Sequence, residues 1–258
     1  DSLMEDKPTG LEVCSNIQFY DGISVIRSWT ELKNNGEEDL GVEYVSSFAL
    51  LGIDKEGLLS TDEKLEVLIA RNAWQKELIW NRFSMDQLGM SISQPDKVRR
   101  SSQTISVGNT GNWSTKNYLP MGCLKNKETD SILFWQIEQN GSWYWEISDQ
   151  DGHMYLQLSG PTEHQSHWWK NLKPGDTFAS VPVSVGSACG DVEEAAGELT
   201  KYRRAIRRKN EDNEKLPVIF NDYMNCLWGD PTTEKELPLI DKAKEAGCEY
   251  FCVDCGWY

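Results

Sequence analysis

Carboxylates, aromatic rings and thiols gather at two places late in the sequence, Asn221-Asp222-Tyr223-Met224-Asn225 and Asp254-Cys255-Gly256-Trp257-Tyr258. An aspartate beside aromatic side chains is what a sugar site requires. The carboxylate accepts charge-assisted hydrogen bonds from clustered hydroxyls, and a ring covers the apolar face of the pyranose. The same aspartate could instead cap a following helix or pair with a cation, so the residues alone leave both readings of Asp254 open. A rival chemistry lies in the same stretch. Cys252 and Cys255 form a C-x-x-C, with Cys248 and Cys226 upstream, which is the raw material of a metal or redox site. Structural zinc sites, however, draw their cysteine pairs from turns and knuckles, whereas these fall on or beside an apolar strand, where cysteine acts as a small hydrophobe. Neither a metal nor a cofactor is expected. His167-Trp168-Trp169 is a second aromatic group, read either as a sugar-stacking platform or as a turn whose tryptophans pack under neighbouring strands.

These side chains need elements to position them. From about residue 216 to 254 the pattern is strand, helix, strand. Leu216-Pro217-Val218-Ile219-Phe220 reads as a strand buried on both faces. Thr233 with Glu236 reads as a capping box opening a helix with the stripe Leu237, Ile240, Ala243 and Ala246, and Gly247 stands at its C-terminus. Glu249 to Asp254 reads as a second buried strand. Such a βαβ unit has parallel strands, and ligand-binding residues collect at their carboxyl ends, where both groups above lie. Two parallel strands cannot cover their own faces, so the parent protein is expected to continue.

Upstream, residues 10 to 185 show short alternating runs broken by turn residues, the signature of antiparallel β structure. Ile132 to Glu138, then Asn140-Gly141, then Trp143 to Ile147 predicts a hairpin, extended by Asp151-Gly152 and Met154 to Leu158 into a three-stranded meander. Residues 60 to 95 read as strands. Asp191 with Glu194 caps a helix whose apolar stripe is Val192, Ala195, Leu199, Tyr202 and Ile206, with acidic residues at its start and arginines at its end. The divisions expected are a β-sandwich over 1–188, a helix and connection over 189–215, and the βαβ segment over 216–258.

Composition excludes several classes of function. A net charge of −15 repels phosphate backbones, and Arg203-Arg204 and Arg207-Arg208 read as a solvated helix face, so nucleic acid is not a partner. No run of eighteen apolar residues is present, hence no membrane span is expected. Seven scattered cysteines in a chain of 258 residues fit a reduced, cytoplasmic protein. The sequons Asn112-Trp113-Ser114 and Asn140-Gly141-Ser142 are at chance level. Eleven tryptophans serve the core of a sandwich, sugar stacking, or both.

Taken together, Pro217 to Tyr223, Glu245-Ala246-Gly247 and Tyr250 to Tyr258 resemble the start of the catalytic (β/α)8 barrel of glycoside hydrolase family 36, mainly α-galactosidases. The resemblance continues more loosely through Gly160-Pro161-Thr162 and Trp168 to Leu172. It implies a retaining hydrolase of terminal α-linked galactose or a related sugar, with an N-terminal β-sandwich (a supersandwich) before a barrel that is truncated here. It also implies that Asp254, Tyr223, Trp257 and Asp222 bind substrate. Asp254 matches the first aspartate of the family's Asp-Asp pair, Trp257 the tryptophan of its Gly-Trp, and Tyr223 a position where many members have tryptophan. Cys255 replaces the second aspartate and removes one charged acceptor. No residue matches the family's nucleophile or acid/base, so no catalytic residue is assigned and the chain by itself is expected to be inactive. The resemblance further implies a galactoside or oligosaccharide as partner and a homo-oligomer, a tetramer in some members, in which sandwich loops approach an active site. The alternative is a non-catalytic carbohydrate-binding β-sandwich protein, against which the βαβ unit argues.

Overall fold

The computed structural model describes residues 2–90, 103–150 and 152–258, and they divide into two compact units, Asp1–Ala205 and Ile206–Tyr258. The first unit is an antiparallel β-sandwich. Its larger sheet runs in the order β1 (Ser2–Asp6), β2 (Leu11–Phe19), β3 (Val25–Asn34), β15 (Val183–Cys189), β10 (Ser131–Ile137), β9 (Tyr118–Asn126), β6 (Leu65–Arg71) and β7 (Ile79–Ser84), with β14 (Thr177–Ala179) also paired to β3. The smaller sheet is β5 (Ser46–Leu51), β12 (His153–Ser159), β11 (Trp143–Gln150) and β8 (Ile105–Asn109). A two-stranded ribbon, β4 (Leu40–Val42) with β13 (Lys170–Leu172), closes a satellite cluster of Leu32, Val42 and Leu172.

Alternation explains which side chains meet between the sheets. In β11, Trp143, Trp145 and Ile147 point inward and are buried, while Tyr144 and Glu146 point outward. Trp145 meets Trp135 of β10 edge to face, ring centroids 5.1 Å apart. Trp135 in turn lies against Gly122 of β9, where a Cβ would come within 2.5 Å of its ring, so only glycine admits the indole. Most of the core is built around this pair.

The expected hairpin across Asn140-Gly141 is not formed. β10 pairs with β9 and β15, whereas β11 pairs with β12 and β8, so the connection crosses from one sheet to the other and Gly141 does not adopt the positive φ that a two-residue turn needs. Both edges of β10 are already taken, and crossing over is what sets Trp135 against Trp145. The meander therefore shrinks to one true hairpin, β11 with β12, with Gly152 at φ 79°; its partner in the turn, Asp151, lies outside the described residues. Of residues 60 to 95, β6 and β7 are strands, α1 (Thr61–Lys64) and Asp86–Leu88 are single helical turns, and 91–95 lie outside the described residues.

The predicted helix is α3 (Val192–Ile206), following the short α2 (Glu163–Ser166). Glu194 accepts from the Asp191 amide at 2.8 Å, and Ala195, Leu199 and Tyr202 are the buried stripe. A polar cluster fastens it to the sandwich. Glu138 accepts from Arg27 Nη2 at 2.7 Å and from the Tyr202 hydroxyl, and burial followed by the bond to Glu138 raises the Tyr202 phenol well above its ordinary range. Among the described residues no helix is long and apolar enough to cross a membrane.

The second unit holds α4 (Glu211–Lys215), β16 (Ile219–Asn221), α5 (Thr233–Glu245) and β17 (Tyr250–Cys252). β16 and β17 are parallel, with Phe220 opposite Phe251 and their rings stacked at 5.2 Å. The strands are shorter than expected and are not buried on both faces. Val218, Ile219 and Tyr250 are 55%, 60% and 55% exposed, because one helix and short turns cannot cover both faces of the pair. Leu237 and Ile240 of the helix stripe are exposed too, and only Ala243 is buried. In hydrogen exchange on the 258-residue chain, Ile219–Asn221 and Tyr250–Cys252 should exchange much faster than Phe134–Ile137. Equal protection would show that this account of the pair is wrong.

Candidate functional site

The carboxyl ends of β16 and β17 lie side by side because the strands are parallel and in register, Asn221 opposite Cys252. The chain leaves β16 through a π-helical turn, Tyr223–Leu227, and leaves β17 directly into Val253 and Asp254. Asp222 is 1% exposed, and its Oδ1 accepts from the Asp254 amide at 2.9 Å. Asp254 is exposed, and its Oδ2 accepts from Asn221 Nδ2 at 2.7 Å. The Asn221 Oδ1 accepts from the Tyr223 amide at 2.9 Å, so one asparagine holds both the aspartate and the start of the turn. Trp257 Nε1 donates to the Asp254 carbonyl at 3.2 Å.

Two glycines bring the loops together. A Cβ on Gly256, whose φ is 89°, would lie 2.0 Å from the Gly229 carbonyl oxygen, and one on Gly229 would press on Cys255 Sγ and the Tyr223 ring. Cys255 is thereby set beside Tyr223; first of all this neighbour, with Asp254 and Tyr258 adding, raises the Tyr223 phenol above its ordinary range. The Tyr223 and Trp228 rings are 5.8 Å apart, and Trp228 and Trp257 are 65% and 67% exposed. The arrangement is an open cluster of one exposed carboxylate, one amide and several aromatic rings, which suits hydroxyl donors on a flat, partly apolar ligand.

The structure thus brings all four anticipated residues to one strand end, but in two kinds of place: Asp254, Tyr223 and Trp257 reach solvent, and Asp222 is buried beneath them. Asn221 stood in the strand-end stretch picked out from the sequence but was given no role there, and Trp228 was not singled out. Asn221 had a signal, being the last residue of its strand. Glu236 was read as a cap, but helix α5 starts one residue earlier than the box requires, with Thr232 at the cap position and no side-chain cap bond. Neither Glu236 oxygen has a donor among the described residues, and its carboxyl faces that of Asp222. Burial, then the neighbouring Asp222 carboxyl, favours the neutral form and raises Glu236 above the ordinary carboxylate range. A raised folded-state pKa stabilises the protein below the unfolded value and loses that contribution as pH rises through the folded value. Glu236→Gln should therefore flatten the pH dependence of unfolding just above the ordinary glutamate range; an unchanged profile in urea titrations would show that Asp222 and burial do not perturb Glu236.

Cys226, Cys248, Cys252 and Cys255 are free thiols, and among the described residues no three histidine, cysteine or acidic side chains converge on a point that could hold a metal ion. In the other unit, Trp168 packs on Phe178 at 5.4 Å while Trp169 is 66% exposed, so the His167-Trp168-Trp169 group is divided between packing and solvent.

No family profile matches the chain. Alpha-galactosidase Mel36A of Lactobacillus acidophilus is 23% identical over 263 residues, covering 99% of this chain and 32% of that protein. Alpha-galactosidase 1 of Pediococcus pentosaceus is 26% identical over 113 residues, covering 43% and 15%. Among solved structures, the family 36 α-galactosidase AgaA of Geobacillus stearothermophilus superposes with a TM-score of 0.78 at 17% identity, and the galactosidase domain of the alpha-galactosidase-sucrose kinase AgaSK with 0.79 at 19%. Each of the two matches covers 99% of this chain and 33% of the other. The chain thus spans about a third of the length of the relatives it matches. Over nearly its whole length, this chain is similar to the N-terminal region of the glycoside hydrolase family 36 α-galactosidases, with their sandwich fold.

Proposed function

We propose that the chain is the N-terminal part of a retaining glycoside hydrolase acting on terminal α-linked galactose or a related sugar, and that β16, α5 and β17 open its catalytic (β/α)8 barrel. The observation that carries this reading is the Asp254 carboxylate, exposed at the end of β17 and oriented by Asn221 from the parallel strand beside it. Asp254 accepts sugar hydroxyls, Tyr223 and Trp257 supply aromatic walls, and Asp222 acts through the Asp254 backbone as a positioning residue. The AgaA structures in complex with stachyose and raffinose support an oligosaccharide as substrate. The odd, scattered cysteines support a reducing, cytoplasmic location, and a homo-oligomer is the assembly to look for by light scattering. A stand-alone carbohydrate-binding module is disfavoured, since it has no use for a parallel βαβ unit.

Retaining hydrolysis needs two carboxyl groups about 5 to 5.5 Å apart across the scissile bond. No pair in this chain is assigned those roles, so the purified 258-residue chain should not turn over an aryl α-galactoside, whereas the full-length protein should. Measurable turnover by the short chain would overturn the assignment of catalysis to later strands.

A further inference from the structure

The outward face of the smaller sheet carries a second group of side chains suited to a ligand. A groove of about 310 Å³ is lined by Tyr44, Tyr144, Glu146, Gln157 and His164, together with Glu43, Thr162, Glu163 and Gln165. The volume is at the low end of ligand pockets, roughly 300 to 1,000 Å³, and suits a ligand of monosaccharide size. Alternation produces the site. Tyr144 and Glu146 stand on the face of β11 opposite buried Trp143, Trp145 and Ile147, and the register sets Glu146 against Gln157 of β12 and Ser148 against Tyr155. Tyr144 Oη donates to Glu146 Oε2 at 2.6 Å, Tyr155 Oη donates to Glu146 Oε1 at 2.8 Å, and Gln157 Nε2 donates to Tyr44 Oη.

An inventory of donors and acceptors says what is missing. An ionised carboxylate offers about four lone-pair sites, of which the two tyrosines use two, and each tyrosyl oxygen keeps acceptor capacity after donating its proton. Burial, then the bond to Glu146, pushes the Tyr155 phenol up to about 12, and the same causes raise Tyr144, so both stay protonated donors at neutral pH. The groove is therefore rich in acceptors, walled by half-buried aromatic rings and short of O–H donors. An anion is repelled by Glu146 in a chain of net charge −15. An organic cation would meet Glu43, Glu146 and Glu163, but both oxygens of Glu146 already accept from tyrosine hydroxyls, and a cation is the competing outcome of the test below.

We propose that this groove is a carbohydrate-binding subsite carried by the sandwich, taking one neutral sugar ring whose vicinal hydroxyls donate to Glu146 and the tyrosyl oxygens. It does not depend on the strand-end site. The test is an NMR titration of the isotope-labelled 258-residue chain with raffinose, with galactose, and with choline as the cationic probe. Raffinose or galactose should produce saturating shifts at Glu146, Gln157 and the Gln157 side-chain amide, with a Kd on the order of 1 to 10 mM. Gln157→Ala and Glu146→Gln should each weaken binding about tenfold, the scale of one charge-assisted hydrogen bond. Asp254→Ala should leave these shifts unchanged, which separates failure here from failure of the strand-end reading. Should Glu146→Gln not fold, Tyr44→Phe, which removes one hydroxyl from a residue 40% exposed, replaces it. Absence of saturation with both sugars, saturation by choline instead, or saturation that the variants leave unchanged would each overturn the proposal.

Discussion

Asp254→Ala in the full-length protein is expected to lower kcat/KM by roughly ten- to a few hundred-fold, since a hydrogen bond to a charged group is worth about 1.5 to 3 kcal/mol and neighbouring contacts are disturbed with it. Folding should hardly change. Asp254 is exposed, and its side-chain bond is to Asn221, itself exposed, so neither group is left buried without a partner. Asp222→Ala provides the contrast: it empties a position that is 1% exposed and frees the Asp254 amide, and it should lower the melting temperature as well as activity. Cys255→Asp restores the acceptor that the family resemblance places there. Activity on a plain galactoside that survives this change indicates a pocket with room for a second carboxylate, and lost activity indicates one shaped for a different substituent. An Asp254→Ala protein with unchanged kcat/KM and a sharply lowered melting temperature would make Asp254 a structural residue and end the sugar-binding reading.

In the sandwich the largest effect should come from Trp145→Ala, at a cost of about 3 to 5 kcal/mol. Trp145 is fully buried and meets Trp135 edge to face, so truncation leaves a void bordered by a rigid indole that cannot collapse into it. For a chain of this size, that corresponds to a fall in melting temperature of roughly 10 °C, readable by circular dichroism. Trp145→Phe should cost much less. The Trp145 Nε1 has no hydrogen-bond partner among the described residues, so phenylalanine keeps most of the packing and removes an unpaired donor. A loss of less than about 1 kcal/mol for Trp145→Ala would show that the sheets close over the gap and that the tryptophan pair is not the centre of the core.

Much of the local structure was legible because it is written in short-range terms. Alternation marked β10, β11 and β12, and the acidic start and arginine-rich end marked α3 with its buried Ala195, Leu199 and Tyr202. The strand-helix-strand pattern after residue 216 marked the parallel pair and, with it, the place where Asp254, Tyr223, Trp257 and Asp222 would gather. The capping box at Thr233 and Glu236 was misread by one position, since a cap depends on where the preceding loop releases the chain.

Local pattern by itself determined the main strands, the two long helices and which strand ends could carry chemistry, because periodicity and strand direction are properties of neighbouring residues. It missed the single helical turns at Thr61–Lys64 and Asp86–Leu88. Only the tertiary structure decided which strands pair. Asn140-Gly141 favours a hairpin by a turn preference, whereas the full edges of β10 and the burial of Trp135 against Trp145 act over the whole core and prevail. It alone decided that Asp222 is buried and Asp254 exposed, two aspartates that look alike in sequence but differ in whether the folded chain or solvent surrounds them. The groove around Glu146 could not be read in advance for the same reason. Its residues lie at positions 44, 144, 146, 157 and 164, and a register across strands, which no local window contains, is what makes them neighbours.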